Sequence, residues 1–152
     1  VVMFYFELEE LKLQDSYQPT LQMIENISDE FHLSNYFGTI STAITELLEL
    51  LQQLTTSENP SVLISFIVEN TAFYAHIELK GAHICFPLLF QEAASFKAIQ
   101  ALKLLTDEIS FTKDEKAISI GFHVKQGVQP NETDKVKEQE TKVNINQLKD
   151  NQ

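Results

Sequence analysis

The chain has 152 residues, of which 43% are hydrophobic, and it carries a formal net charge of −11 without a single arginine. A sequence of this length and composition can fill the core of one domain. The negative charge and the lack of arginine argue against nucleic acid and against an anionic membrane surface, since both are bound through Lys and Arg. Arginine is also the usual planar clamp for phosphate, so its absence weakens any phosphoryl-transfer chemistry. A basic protein partner stays compatible with this charge, and so does an acidic surface that serves only solubility.

No segment of the sequence indicates export or membrane insertion. The apolar runs are all well short of the roughly 18 residues that span a bilayer. The first ten residues, VVMFYFELEE, lack the basic region and the small-residue cleavage site of a signal peptide. We therefore expect a cytoplasmic protein without a membrane partner. Cys85, the only cysteine, excludes an intramolecular disulfide and is expected to be a small buried hydrophobe.

The first half of the chain predicts a strand followed by two helices. Residues 2–8 alternate apolar and polar side chains, which predicts a strand with one strongly buried face. Residues 19–31 carry one helical apolar stripe, with Pro19 in the first turn. Residues 40–54 repeat apolar side chains at i, i+3, i+4 and i+7 without Gly or Pro, which predicts a long helix with a broad buried face. Leu50 breaks this pattern, because it lies on the side where a polar residue is expected.

The second half predicts a hairpin, a helix and a second hairpin. Residues 61–69 are almost continuously apolar, as in a strand covered on at least one face, and residues 72–79 alternate. A tight turn at Asn70 and Thr71 would join them. Residues 80–91 give no clear pattern. Helix 93–105 should then lead into strands at 109–111 and 117–124.

This order of elements predicts an α+β fold, a two-layer α/β sandwich with a mostly antiparallel sheet and helices on one face. Residues 1–124 should form that single domain. Residues 125–152 have few apolar and many charged side chains, so we expect a polar C-terminal tail that cannot support a core of its own.

Two stretches resemble the ATPase domain of histidine kinases and its relatives, the GHKL group. The first is 46–54, ELLELLQQL, which is similar to the group's helix pattern Glu-Ala-x-x-Asn-Ala-x-x-His. The second is 102–111, LKLLTDEISF, which with the following turn and strand is similar to the group's Leu-Ile-x-x-Leu-x-Asp-Glu-Val segment. The resemblance is greatest to the small anti-sigma-factor serine kinases of bacteria, and it extends over about residues 4–124. It implies a histidine-kinase ATPase-like fold.

The resemblance assigns catalytic and metal-binding roles to two positions of the long helix. Glu46 matches the family's general base, which activates a hydroxyl or a water, and it is the only match to a catalytic residue. A Glu on a helix surface is more often simply solvated. Leu50 stands where the family has the Asn that coordinates magnesium, and leucine offers no oxygen to a hard cation.

The nucleotide-binding positions are altered as well. Gly81 alone survives from the family's Asp-x-Gly-x-Gly motif, whose Asp holds the adenine amino group. Phe96 and Ala98 stand in the Gly-Leu-Gly-Leu end of the phosphate-covering lid, where Phe96 would occupy the place of phosphate. The degenerate positions Leu50, Gly81, Phe96 and Ala98 therefore predict no cofactor and no metal.

The histidines do not form a competing site in the sequence. None of the four has metal-ligand spacing relative to Cys85. His76 and His83 flank Gly81 and could meet across a bend, although a strand histidine that faces solvent is the simpler expectation. The sequence contains no P-loop, no Gly-x-Ser-x-Gly and no Cys-x-x-Cys.

Three hypotheses follow for function. The first is a degenerate anti-sigma-factor-kinase-like domain without ATP binding, a regulatory protein-interaction module and not an enzyme, whose implied partner is a sigma factor or an anti-sigma antagonist. The second is an ATP-dependent serine kinase with a variant site. The third is an unrelated α+β domain with a structural role. The sequence leaves self-association as a homodimer open.

The tail should contribute little to folding, because it adds almost no apolar area to bury. Truncation after Lys125 should leave the melting temperature nearly unchanged in a thermal melt. A drop of many degrees would contradict this and would show that Val143, Ile145 and Leu148 dock on the domain or on a second copy of it.

Overall fold

A computed structural model describes residues 2–125, and within this range the predicted α+β sandwich is confirmed. Six strands form one sheet, and a layer of helices packs on one of its faces. The predicted tail lies outside the described residues, apart from Lys125. The strands are β1 (Phe4–Glu7), β2 (Leu11–Lys12), β3 (Ser61–Val68), β4 (Ala72–Lys80), β5 (Glu108–Phe111) and β6 (Ala117–His123), and the helices are α1 (Tyr17–Glu30), α2 (Phe37–Leu54), α3 (Phe86–Glu92) and α4 (Lys97–Leu105).

The described strands pair in the order β1-β3-β4-β6-β5, and the short β2 also pairs with β3. All of these pairings are antiparallel. The predicted turn between β3 and β4 is confirmed, since the backbone N–H of Glu69 donates to the carbonyl of Ala72 at 2.9 Å across Asn70 and Thr71. Along β3 buried and half-buried residues alternate, because the helices cover one face.

Helix α2 is the centre of the helix layer, in contact with α1 on one flank and α4 on the other. Its apolar stripe is buried as predicted, and Leu47 and Leu51 have no exposed surface. Leu50 is buried as well, at 3% exposure, because α4 covers the flank on which the sequence pattern placed it. Leu54 was expected in the stripe but is 41% exposed at the last turn of the helix.

The end of α1 is fixed by a Schellman motif. His32 adopts the left-handed conformation with φ of 58°, and the N–H of Leu33 donates to the carbonyl of Ser28 at 2.8 Å. Leu33 is fully buried just beyond the turn. The burial of Leu33 thus offsets the free-energy cost of the left-handed conformation at His32, which glycine would adopt more easily. The helix starts at Tyr17, two residues before the predicted start.

The prediction of a strongly buried face on the first strand is wrong. Strand β1 spans only Phe4–Glu7 at one edge of the sheet, and Phe4 is 45% exposed. The helix layer reaches this edge through Phe31, whose ring centroid lies 4.9 Å from that of Phe4 and 5.9 Å from that of Phe6. An edge strand has one neighbour, so alternation in the sequence overstates its burial.

The predicted helix 93–105 is also wrong at its start. Residues 86–92 form a separate helix, α3, with Pro87 in its first turn, and α4 begins only at Lys97. Between them Phe96 has an extended backbone. Helix α3 is anchored by the buried Phe90, whose ring packs edge-on against Phe111 of β5 at 5.5 Å.

Cys85 is half-buried, not buried as expected. It precedes α3, and its thiol donates to Oε1 of Glu115 at 3.4 Å. Among the described residues, no helix has both the length and the apolar character needed to cross a bilayer.

Removal of side-chain volume under α2 should destabilise the fold. Leu47→Ala and Leu51→Ala should each lower the free energy of unfolding by about 2–5 kcal/mol, because each leaves a cavity at a fully buried position. Leu104→Ala is a matched control on α4, since Leu104 is 83% exposed. Urea denaturation measures all three. Equal effects at Leu47 and Leu104 would contradict the burial of α2.

Candidate functional site: the cleft between α2 and α4

The structure brings four of the five sequence-predicted site residues to one cleft of about 250 Å³ between α2 and the start of α4. These are Glu46, Leu50, Phe96 and Ala98. They come from helices far apart in sequence, which pack against each other directly. The cleft is lined by Glu46, Glu49, Leu50, Gln53, Phe96, Lys97 and Ala98.

The wall formed by α2 is acidic. Glu46 is half-buried and Glu49 is exposed, and their i, i+3 spacing places both carboxylates on one side of the helix. Leu50 lies between them and Gln53, buried at 3%, with no oxygen to offer a cation. The α2 wall can therefore accept a proton or repel an anion, but at Leu50 it cannot hold a metal ion.

The opposite wall is formed by the first turn of α4. Phe96 precedes the helix and its ring is 46% exposed, so it borders the cleft without filling it. Ala98 is 9% exposed. No side chain caps this helix, and its first N–H groups lack partners within the helix, as at any helix start. Together with Lys97 they are the features of this cleft that favour an anion.

Gly81 lies elsewhere, in a depression of about 590 Å³ lined by 81–85 and 114–116. Its φ of 84° favours glycine, although a Cβ there would make only an ordinary contact, 3.7 Å from the Cα of Pro60. Next to it, Nδ1 of His83 is 3.1 Å from Oε2 of Glu58. Gly81, the one residue that matches the adenine-binding motif, therefore does not line the cleft that contains Glu46.

Tyr17 is a residue that the sequence analysis did not single out. It is half-buried and lines, with Glu49, Gln52 and Gln53, a second depression of about 430 Å³, which adjoins the cleft because Glu49 and Gln53 line both. Burial, together with the negative charges of Glu49 and Glu46, raises the pKa of Tyr17 to about 12. Nothing in the helical pattern of 19–31 pointed to it, because the contact depends on how α1 packs on α2.

The two histidines that flank Gly81 have separate surroundings. His83 pairs with Glu58, whereas His76 lies in the middle of β4 opposite Ser65 and Ser119. Within residues 2–125, no three His, Cys, Asp or Glu side chains are grouped as a metal ion would require. Comparison of the sequence with models of protein families and with curated proteins finds no match.

The raised pKa of Tyr17 predicts a loss of stability at alkaline pH. The folded chain keeps the phenol protonated to about pH 12, whereas the unfolded chain releases the proton near the ordinary value of 10.0. The stabilisation is complete below pH 10 and is lost as pH rises through 12. The melting temperature should therefore fall between about pH 10 and pH 12, and Tyr17→Phe should remove the part of this fall that comes from Tyr17.

The tyrosinate absorbance should correspondingly lose a step near pH 12 in the Tyr17→Phe variant. Tyr5→Phe, at a residue that is 58% exposed, is the control for the loss of a tyrosine hydroxyl. Glu49→Gln should lower the pKa of Tyr17, because it removes one of the negative charges. An unchanged alkaline titration in Tyr17→Phe would contradict the packing of α1 on α2.

Proposed function

We propose that this chain is a regulatory protein-interaction module, a degenerate domain of the histidine-kinase ATPase-like type that works without nucleotide. The partner implied by the resemblance is a sigma factor or an anti-sigma antagonist. The alternatives are an ATP-dependent serine kinase with a variant site and an α+β domain with a purely structural role.

The observation that supports the proposal is the composition of the cleft between α2 and α4. Two carboxylates and one ammonium line it, so its formal charge is negative. ATP carries its own negative charge on the phosphates and, in magnesium-dependent enzymes, needs an oxygen ligand for the metal. At the position of the family's Asn the cleft offers the apolar Leu50. The carboxylates of the cleft would thus repel the phosphates of ATP, which need cationic groups for binding.

The separation of Gly81 from this cleft supports the same conclusion. A nucleotide that used both Glu46 and Gly81 would have contacts in two different depressions. The depression around Gly81 is lined by His83, which pairs with Glu58, by the half-buried Cys85 and by the charged turn residues 114–116. The residue just before Gly81 is not an acid, since Lys80 stands there and pairs with Glu10 at 3.6 Å. The acids that line the depression, Asp114 and Glu115, belong instead to the turn between β5 and β6.

One observation favours the kinase alternative and defines its test. The uncapped start of α4 and the exposed Lys97 border the same cleft as Glu46, which gives a base and an anion-attracting group in one place. A phosphate held there would be near a carboxylate of the right kind for general-base chemistry. Nucleotide binding therefore separates the two functions.

The chain should show no saturable binding of ATP with magnesium tighter than roughly 100 μM, equivalent to about 5.5 kcal/mol. Isothermal titration calorimetry measures this directly. In a thermal melt, a site of that affinity would add about 2.3 kcal/mol of stability at about 5 mM nucleotide, so the absence of a shift is informative.

Lys97→Ala is the matched control for that titration. If the wild-type chain binds ATP more tightly than this limit and Lys97→Ala abolishes the binding, the kinase function replaces the proposed one. Binding that survives Lys97→Ala would place nucleotide outside the cleft, and it would equally contradict an interaction module that works without nucleotide.

A further inference from the structure

The face of the sheet opposite the helices is left uncovered by the described residues. The registers of β1, β3, β4, β6 and β5 place alternate residues of each strand on this outer face. One row of neighbours runs Glu7, Ser65, His76, Ser119 and Ser110, and the next runs Tyr5, Ile67, Tyr74, Gly121 and Glu108. We call these the serine row and the tyrosine row.

The two rows differ in their side chains. The serine row has three short hydroxyl side chains, and the imidazole of His76 lies between Ser65 and Ser119. The tyrosine row has two large rings, Tyr5 and Tyr74, on either side of the half-buried Ile67. An extended chain that follows the serine row would cross the strands with the two tyrosine rings along one side of it.

Tyr74 is held in place by its neighbours in the row. A Cβ on Gly121 would lie only 2.7 Å from a ring carbon of Tyr74, so the ring passes directly over the glycine. The Tyr74 side chain hydrogen-bonds Glu108, whose Oε2 also lies 3.4 Å from Nε2 of His123. Burial, then the negative charges of Glu108 and Glu69, raise the pKa of Tyr74. The ring and the carboxylate thus form one fixed unit.

The charge of the outer face is negative away from one end. Glu7 and Glu108 end the two rows on opposite edges, about 19 Å apart over four strand spacings. Glu78 of β4 lies in the next row, on the side of the serine row away from the tyrosine row. Two lysines occupy the far end of the face, where Lys80 pairs with Glu10 at 3.6 Å and Lys12 donates to the carbonyl of Asn59 at 3.4 Å. The rows themselves have no lysine.

We propose that the outer face binds a basic, extended segment of a partner protein along the serine row, with its Lys or Arg side chains against Tyr5, Tyr74 and the carboxylates of Glu7 and Glu108. Aromatic faces and carboxylates both attract such cations. A second copy of this chain would bring like charges together, as would nucleic acid or an anionic membrane. This inference rests on the proposed interaction role and adds the surface and the chemistry of the partner.

The probe is a labelled peptide of about eight residues in which Lys and Arg alternate with Ser, which spans about 26 Å when extended. Fluorescence anisotropy at low salt gives its Kd for the full chain. Glu7→Gln combined with Glu108→Gln should raise that Kd by at least about fivefold, because both ends of the rows lose their charge. Glu25→Gln combined with Glu30→Gln removes the same charge from exposed positions on α1 and should change it less than about twofold.

A second pair of variants isolates the aromatic contact. Tyr5→Ala should weaken peptide binding severalfold, whereas Tyr5→Phe should keep it, because the ring and not the hydroxyl attracts the cation. Tyr5 is 58% exposed at the sheet edge, so neither change opens a cavity in the core. Amide shifts in the wild-type chain should fall on the residues of the two rows, and they give the answer even if a variant fails to fold.

Three results would overturn the outer-face site. These are no binding of the peptide, equal weakening by the two double Gln variants, and amide shifts confined to the helix layer. The last would leave the proposed interaction role intact and move its surface. Saturable ATP binding in the cleft would instead remove the proposed function while leaving the peptide result to stand on its own.

Discussion

The burial of α2 is the constraint on which the rest of the structure depends. This helix has 18 residues and is therefore about 27 Å long, while the eight residues of β3 extend about 26 Å. The helix can thus cover the full length of the central strands. It also has a helix on each flank, so its buried surface is wider than a single stripe. A chain of this size has few other ways to build a continuous core.

The position of α2 determines where chemistry can occur in the helix layer. Because α4 packs against it, the polar edge of α2 borders the start of α4 while Glu49 stays exposed to solvent. Glu46 and Glu49 then border a narrow cleft, and Leu50 is covered. A metal ligand at position 50 would have to desolvate with its metal in this place, whereas leucine gains free energy from the same burial. Position 50 is thus better suited to packing than to binding a metal ion.

One-sided coverage of the sheet has a second consequence. The residues that face the helices are apolar, whereas the outer face combines serines, tyrosines, a histidine and glutamates with a few apolar residues such as Ile67. In a two-layer sandwich one face of the sheet packs against the helices and forms the core. The other face remains available to solvent or to a partner. The glycine at 121 belongs to this second group, because its lack of a Cβ admits the Tyr74 ring and thereby couples β4 to Glu108 on β5. The two faces thus obey different physical requirements within the same strands.

The sequence by itself determined the element types and most of their positions, because period 3.6 in 40–54 and period 2 in 72–79 report local geometry that every fold must respect. It also determined that Leu47 and Leu51 are core residues. Only the tertiary structure decided the burial of Leu50, the exposure of Phe4 and the division of 86–105 into two helices, since these depend on which element lies beside which. The same holds for the cleft. The sequence identified Glu46, Phe96 and Gly81 only as separate positions. The packing of α2 on α4 brings Glu46 and Phe96 together, whereas Gly81 lies in the turn after β4, in a separate depression.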